Sequence, residues 1–440
     1  GPGPGAPGAA PAAVAPERLV AFVQSHRALL NVLVREQPSV LDGPLSPLVA
    51  SAVLRANLAF DVKRAFFRAQ LQRQRRQRRG RRRLHLRVRR ASVFEDSFHL
   101  LRMRDADEMR QQLSVTFEGE EGVDMGGLTK EWYTLLSREI FNPGYALFTA
   151  ASDGATFQPN PASDVNPDHL DYFRFVGRLL GKAVHDGQLM DAHFTRSFYK
   201  HLLRVPVTPQ DMEAVDPEFY RSLKQILEFP LEDLGLDLTF SAEAQTFGKH
   251  EVVDLVPEGQ GKAVTDENKA EYVRLAAHHR MTTSINQQID AFLQGFHALV
   301  PPELVGIFTH TELELLISGL PSVDVDDLKA NTEYHGYEPH ERCITWFWNT
   351  LRGFSAEERA LFLQFVTGTS KVPLDGFAAL QGMRGVQRFN IHKAFGGPAQ
   401  LPSAHTCFNQ LDLPEYQSEE QTREKVLLAI KEASEGFQFA

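Results

Sequence analysis

Two cysteines occur in the 440 residues, and one of them stands among side chains equipped for acyl chemistry. Cys407 lies in LPSAHTCFNQLDLP (401–414), with His405 two residues before it and Thr406, Asn409 and Asp412 close by. Pro402 and Pro414 bracket this polar segment, so the spacing predicts a surface loop. An exposed thiolate forms thioesters readily as long as it is not so stabilised that it loses nucleophilicity. His405, Thr406 and Asn409 offer hydrogen bonds to a thiolate or a tetrahedral oxyanion. Asp412 offers a carboxylate to accept or orient the proton of an attacking amine. On local sequence alone the same cysteine also fits a buried structural thiol, because free cysteine is often core. Cys343 precedes the aromatic helix start ITWFW (344–348) and reads as core.

The elements that must carry this loop are legible from periodicity. Phe389 and Ile391 alternate as a strand just upstream, and Leu113, Val115 and Phe117 alternate likewise near the middle of the chain. Leu19, Phe22, Val23, Leu29, Leu30 and Leu33 recur at helical spacing, a second helical stretch runs from about 48 to 70, and a short helix is expected near Val93–Leu101. Ile285, Ile289, Phe292, Phe296 and Leu299 form a stripe stopped by Pro301-Pro302. Thr309/Glu312, Ser355/Glu358 and Ser418/Gln421 each have the spacing of a capping box. The glycine-rich stretch 118–127 is not a phosphate loop. Its carboxylates at Glu118, Glu120, Glu121 and Asp124 would repel phosphate, and no Gly-Lys-Ser/Thr follows. The polar, acidic stretch before Tyr334 is expected to be a boundary, with a hinge at 326–334.

Composition narrows the class. The chain is 42% hydrophobic and 23% charged, as expected of a soluble globular protein of two or three domains. No apolar run approaches the ~20 residues of a membrane span. The low-complexity opening, residues 1–16, reads as a flexible linker at the end of something longer. Two cysteines exclude a disulfide scaffold and a cysteine-based zinc site, and a reducing cytoplasmic or nuclear setting fits. The net charge of −9 is unevenly spread: residues 73–90 hold eleven arginines and no acid. Such a run could bind nucleic acid. No aromatics interleave with its arginines, and the preferred reading is a solvated basic linker, folded back on the acidic body.

Five motifs, in order, resemble the HECT family of ubiquitin ligases: FEGEEGVDMGGLTKEW (117–132), NPDHLDYFRFVGR (166–178), ELELLISG (312–319), LQFVTGTSKVP (363–373) and AHTCFN (404–409). The resemblance covers about residues 104–440. It implies an α+β, bilobal fold: a mostly helical N-lobe at 104–325 and a small α/β C-lobe at 335–440, joined by the hinge. A helical extension at 17–103 would precede it. Cys407 would accept ubiquitin from a conjugating enzyme (E2) by transthiolation and pass it to a substrate lysine, a sequence that needs positioning more than driving force. The resemblance gives Phe437 a part in the second step and puts the ubiquitin tail on the loop of Thr367, Gly368 and Thr369. It puts the E2 groove at Phe219, Leu223, Leu238 and Tyr272. It implies no cofactor and no metal. Residues 17–103 are further expected to offer a surface for a homodimer. A cysteine hydrolase would pair Cys407 with a distant histidine base; the five collinear motifs argue against it.

Overall fold

The computed structural model describes residues 16–42, 52–76, 83–120, 124, 127–246, 249–373, 376–382 and 385–435. Helices dominate and the strands form small sheets, an α+β architecture. Three hydrophobic cores are found among the described residues.

The largest core joins the upstream helices to the expected N-lobe. It takes in Val34, Phe60, Phe67, Leu84 and Phe94 together with Trp132, Phe175, Phe292 and Leu313, so residues 34–103 do not form a separate unit. Strand β1 (Arg83–Val88) pairs in parallel with β2 (Gln112–Phe117). Leu84, Leu86 and Val88 lie in register with Leu113, Val115 and Phe117, and this face is buried. The intervening Arg83, His85 and Arg87 face solvent, as a period of two requires. The described part of the arginine run does fold back on acidic groups. Arg87 meets Glu118 at 3.3 Å, Arg89 grips Asp96 at 2.6 Å, and Arg90 reaches Glu120 and Glu131 at 2.8 and 2.7 Å. Each pair is solvated and so contributes little to stability. Residues 77–82 of the run lie outside the described residues. In the glycine-rich stretch the Asp124 carboxylate accepts the N–H groups of Val115 and Thr129, a structural use that fits the exclusion of phosphate.

Helix α1 (Phe60–Arg76) is anchored by an ion pair, while α2 (His169–Asp186) and α3 (Asn286–His297) pack backbone to backbone. A Cβ on Gly177 or Gly295 would fall inside the carbonyl of Phe292 or Arg174, so only glycine allows this approach. Helix α4 (His310–Ser318) lies on the same core and opens with the expected box: Thr309 Oγ1 accepts from Glu312 N and Glu312 accepts from Thr309 N. The same Glu312 carboxylate receives Lys63 of α1 at 2.7 and 2.9 Å. Lys63 is 1% exposed, and Phe60 and Phe67 set their rings edge-on to Phe308 beside it.

The segment expected as a hinge carries regular structure. Residues 325–330 form a helix capped by Asp324, and Thr332–His335 is a strand of the second core. The change of core falls between Ile317, in the first, and Val323, in the second. The side chains of Val323, Val325 and Leu328 explain the shift: the acidic residues between them hide a short apolar face.

The second core is a four-stranded sheet with helices on one side. Strand β3 (Thr332–His335), β4 (Phe389–Lys393) and β6 (Gln410–Leu413) are parallel, and β5 (Ser403–His405) runs antiparallel to β6, in the order β5-β6-β4-β3. Helices α5 (Arg342–Arg352), α6 (Ala356–Thr367) and α7 (Glu419–Glu435) cover its apolar face. Cys343 is buried here, with Sγ 3.6 Å from Pro414 O, and burial pushes its thiol pKa up. It is a core thiol, as its context implied.

Lys63→Met should strand the buried Glu312 charge and cost roughly 3 kcal/mol or more. The double replacement Lys63→Met/Glu312→Leu should restore much of that loss. Urea-unfolding midpoints check both.

Candidate active site

The hairpin from β5 to β6 turns through a 3₁₀ segment, Thr406–Phe408, so the expected loop is a tight, strand-anchored turn. Cys407 sits at its centre; its side chain lies outside what is described. Asn409 closes the turn in the left-handed region at φ +48, where asparagine is among the few tolerated side chains. Fully buried, it donates Nδ2 to Gln387 O at 2.8 Å, and its N–H goes to Thr406 O at 3.2 Å. From the neighbouring central strand, Asn390 donates Nδ2 to Phe408 O at 2.7 Å.

His405 and Asp412, chosen from sequence as separate groups, are brought together. His405 Nε2 lies 3.0 Å from Asp412 Oδ2, and Gln410 Nε2 donates to Asp412 Oδ1 at 2.6 Å. Both sit on the polar face of the sheet, opposite buried Ile391, Leu411 and Leu413. In the next strand His392 is in register with Asp412 and lies against the ring of His335, centroids 4.4 Å apart. Burial, then the neighbouring His335, lowers the pKa of His392.

The turn abuts the loop that ends α6. Gly368 caps the helix at φ +80, where a side chain would meet the Thr406 Cβ at about 3.5 Å. Thr367 Oγ1 donates to Leu363 O and Thr369 O at 2.7 and 2.9 Å and shapes the loop from within. Thr369 and Ser370, by contrast, reach across to the first core. The Glu314 carboxylate of α4 accepts Thr369 Oγ1, Ser370 N, Ser370 Oγ and Gln364 Nε2, all at 2.8–2.9 Å. His193 Nδ1 lies 2.9 Å from the same carboxylate, and its Nε2 3.2 Å from Asp191. Burial opposes charge on His193, but hydrogen bonds to Asp191 and Glu314 overcome it and raise the pKa to about 9. Burial likewise opposes charge on Glu314, but the hydrogen bond and charge of His193, together with the hydrogen bonds from Ser370 N and Gln364, outweigh it, so its pKa is lowered. Beside this contact a cavity of about 230 Å³ opens between the two cores, lined by Tyr199, His310, Glu314, Phe365, Gly368 and Thr406.

Residues 134–440 match the HECT-domain (ubiquitin-transferase) family model. The chain belongs to the HECT-domain family. It is 55% identical over 426 residues to the E3 ubiquitin-protein ligase UPL1 of Arabidopsis thaliana, covering 95% of this chain and 11% of that protein. It is 52% identical to HUWE1 of Mus musculus, over 96% of this chain and 10% of the relative. TOM1 of Saccharomyces cerevisiae is 47% identical over 95% and 13%. The chain thus spans about a tenth of the length of the curated relatives it matches.

Within the HECT N-lobe the expected E2 residues divide. The third core comprises Met212, Leu223, Ile226, Phe240, Tyr272 and their neighbours. Leu223 and Tyr272 are interior members of it, Tyr272 edge-on to Phe240. Phe219 and Leu238 are partly buried, and the Arg280 guanidinium lies 4.9 Å above the Phe219 ring. Among the described residues of this region, Leu227, Phe229, Leu236 and Val252 are left in solvent, at 45%, 49%, 43% and 45% exposure. Sequence reasoning did not separate them from the core, because core and surface leucines read alike within one amphipathic pattern; Pro230 and Gly235, which start and end the short helix between them, were the available signal. It also missed Asn390, His193 and Glu314. Phe437 lies outside the described residues. Among the described residues no three His, Cys, Asp or Glu side chains converge as a metal site.

The His193 charge has a defined pH signature. Its folded pKa of about 9 exceeds the ordinary 6.5, so its stabilisation is complete below pH 6.5 and is lost as pH rises through 9. Urea midpoints measured from pH 6.5 to 9.5 should fall more steeply for the native chain than for His193→Gln.

Proposed function

We propose that this chain carries out HECT-type ubiquitin transfer, with Cys407 as the acceptor of ubiquitin from an E2 and a substrate lysine as the final acceptor. The observation that carries the reading is the Cys407 turn, flanked by the His405–Asp412 pair on one side and the Thr367–Thr369 loop on the other. In the first step a bond forms between the Cys407 sulfur and the ubiquitin carbonyl carbon as the bond to the E2 sulfur breaks. The proton lost by Cys407 ends on the departing thiol. In the second step the lysine nitrogen attacks that carbon and the Cys407 sulfur leaves. Of the two protons the lysine ammonium gives up, one returns to sulfur and the other goes to the His405–Asp412 pair and then to water. An imidazole held by a carboxylate is placed to take that proton. Thr406 shapes the turn, the Thr367–Thr369 loop holds the ubiquitin tail, and Phe437 assists the second step.

The E2 would dock on Leu227, Phe229 and Leu236, next to the partly buried Phe219 and Leu238. A second copy would dock on residues 17–36, where Phe22, Leu29, Val32 and Leu33 are exposed. Nucleic acid binding by residues 73–90 is disfavoured, because Arg87, Arg89 and Arg90 are paired with carboxylates of the same chain. A thiol that must stay reduced favours the cytoplasm and nucleus.

A single-turnover reaction with pre-charged E2, followed on a non-reducing gel, tests the central claim. A thiol-sensitive ubiquitin adduct is expected with the native chain and none with Cys407→Ala. Lysine-linked product formed equally by both would sink the covalent mechanism. Phe229→Ser with Leu236→Ser should slow adduct formation by about tenfold or more without lowering the unfolding midpoint, since interface anchors carry most binding energy.

A further inference from the structure

Asn390 is an ill-suited residue for the central strand of a sheet. Asparagine is depleted in strands, and a buried amide costs free energy unless it is hydrogen-bonded. It is nonetheless 6% exposed in β4, between Phe389 and Ile391. Its hydrogen bonds account for it. Nδ2 donates to Phe408 O at 2.7 Å, with longer contacts of 3.3 Å to Asn409 O and Arg388 O, while its backbone N–H donates to Asn409 O at 2.9 Å. The carbonyl it grips belongs to the residue that directly follows Cys407.

The peptide between Phe408 and Asn409 is therefore held at both ends. Its carbonyl goes to Asn390, and its N–H to Thr406 O at 3.2 Å. Asn409 is itself tied to Gln387 O at 2.8 Å. On the other flank His405 is fixed by its pairing with Gln410, and Thr406 lies against Gly368. A three-residue turn tethered on both sides has little freedom left, and the sulfur is carried by its middle residue. Departures from local propensity of this kind concentrate where function demands them.

We propose that Asn390 is a positioning residue for thioester transfer: by holding the Phe408 carbonyl it fixes the pose from which the Cys407 sulfur attacks. The inference rests on the proposed role of Cys407. Asn390 touches no reacting atom, and its effect is on the geometry of attack, where a displacement near 1 Å can cost about a hundredfold in rate.

The test uses two variants of the full chain. Asn390→Val suits a strand and keeps a similar volume but donates nothing; Asn390→Asp keeps the shape and replaces the donor by an acceptor. In single-turnover reactions both should lower the saturating rate of adduct formation by about ten- to a hundredfold. The E2 concentration at half-saturation should not change, and neither should the amplitude. Alkylation of Cys407 by iodoacetamide, followed by mass spectrometry, should stay within about twofold of native, because a small diffusing reagent needs no fixed pose. Asn390→Val leaves the Phe408 carbonyl without this donor, so the unfolding midpoint should fall somewhat, but the rate should stay low at temperatures where the variant is fully folded, a combination that a purely structural role does not produce. Native saturating rates in either variant would overturn the proposal. So would a rate loss matched by the alkylation rate or the folded fraction, or failure of both variants to fold. The native chain and Cys407→Ala run beside them: an adduct formed by the former and lost in the latter leaves the role of Cys407 standing whatever becomes of Asn390.

Discussion

A charge buried between two hydrophobic cores must be satisfied by the groups that meet there, and Glu314 imposes that constraint on this protein. Its carboxylate is 4% exposed and accepts four hydrogen bonds from the C-lobe, together with one ion pair from its own lobe. Such a group contributes little net stability compared with an apolar contact of the same size. It does make one relative arrangement of the lobes far better than a slightly shifted one, because a displacement takes four hydrogen bonds from a buried carboxylate. The lobe contact is thereby tied to the loop beside the Cys407 turn, since Thr369 and Ser370 follow directly on Thr367 and Gly368.

Helix α4 makes this constraint reach further. Glu312 and Glu314, two residues apart, emerge in different directions. One takes Lys63 of the upstream helices and the other takes the C-lobe. A single turn of helix, started by the Thr309 capping box, therefore fixes the upstream helices and the catalytic lobe to the same body. The upstream region is part of the N-lobe core, and its arginine strand is the partner that completes β1–β2.

The active-site turn follows the same logic on a smaller scale. Backbone pairing of β5 with β6 brings the segment back on itself, but pairing alone leaves the turn residues free. Buried amides of Asn390 and Asn409 remove that freedom, and the polar row of His405, Gln410 and Asp412 collects on the face that the apolar core does not use. A parallel strand alternating between core and solvent can carry both a hydrophobic interior and a catalytic face.

By itself the sequence determined what local chemistry determines. The alternation of Leu113, Val115 and Phe117, the helix at 93–101, the Thr309 and Ser355 boxes and the turn around Cys407 all follow from periods and side-chain types within a few residues. The Ser418/Gln421 box is only half made: Ser418 Oγ accepts from Gln421 N, while the Gln421 carbonyl turns to Gln417 N. Five collinear motifs carried the family. Tertiary structure alone decided that Lys63 meets Glu312 across 249 positions, that Glu314 receives the Thr369–Ser370 loop, and which leucines of the third core face solvent. The physical reason is the same in each case. A periodic pattern records that a side chain is to be buried or exposed, but its partner is fixed only when distant segments pack, and no local energy term distinguishes one buried glutamate, one leucine or one asparagine from the next until they do.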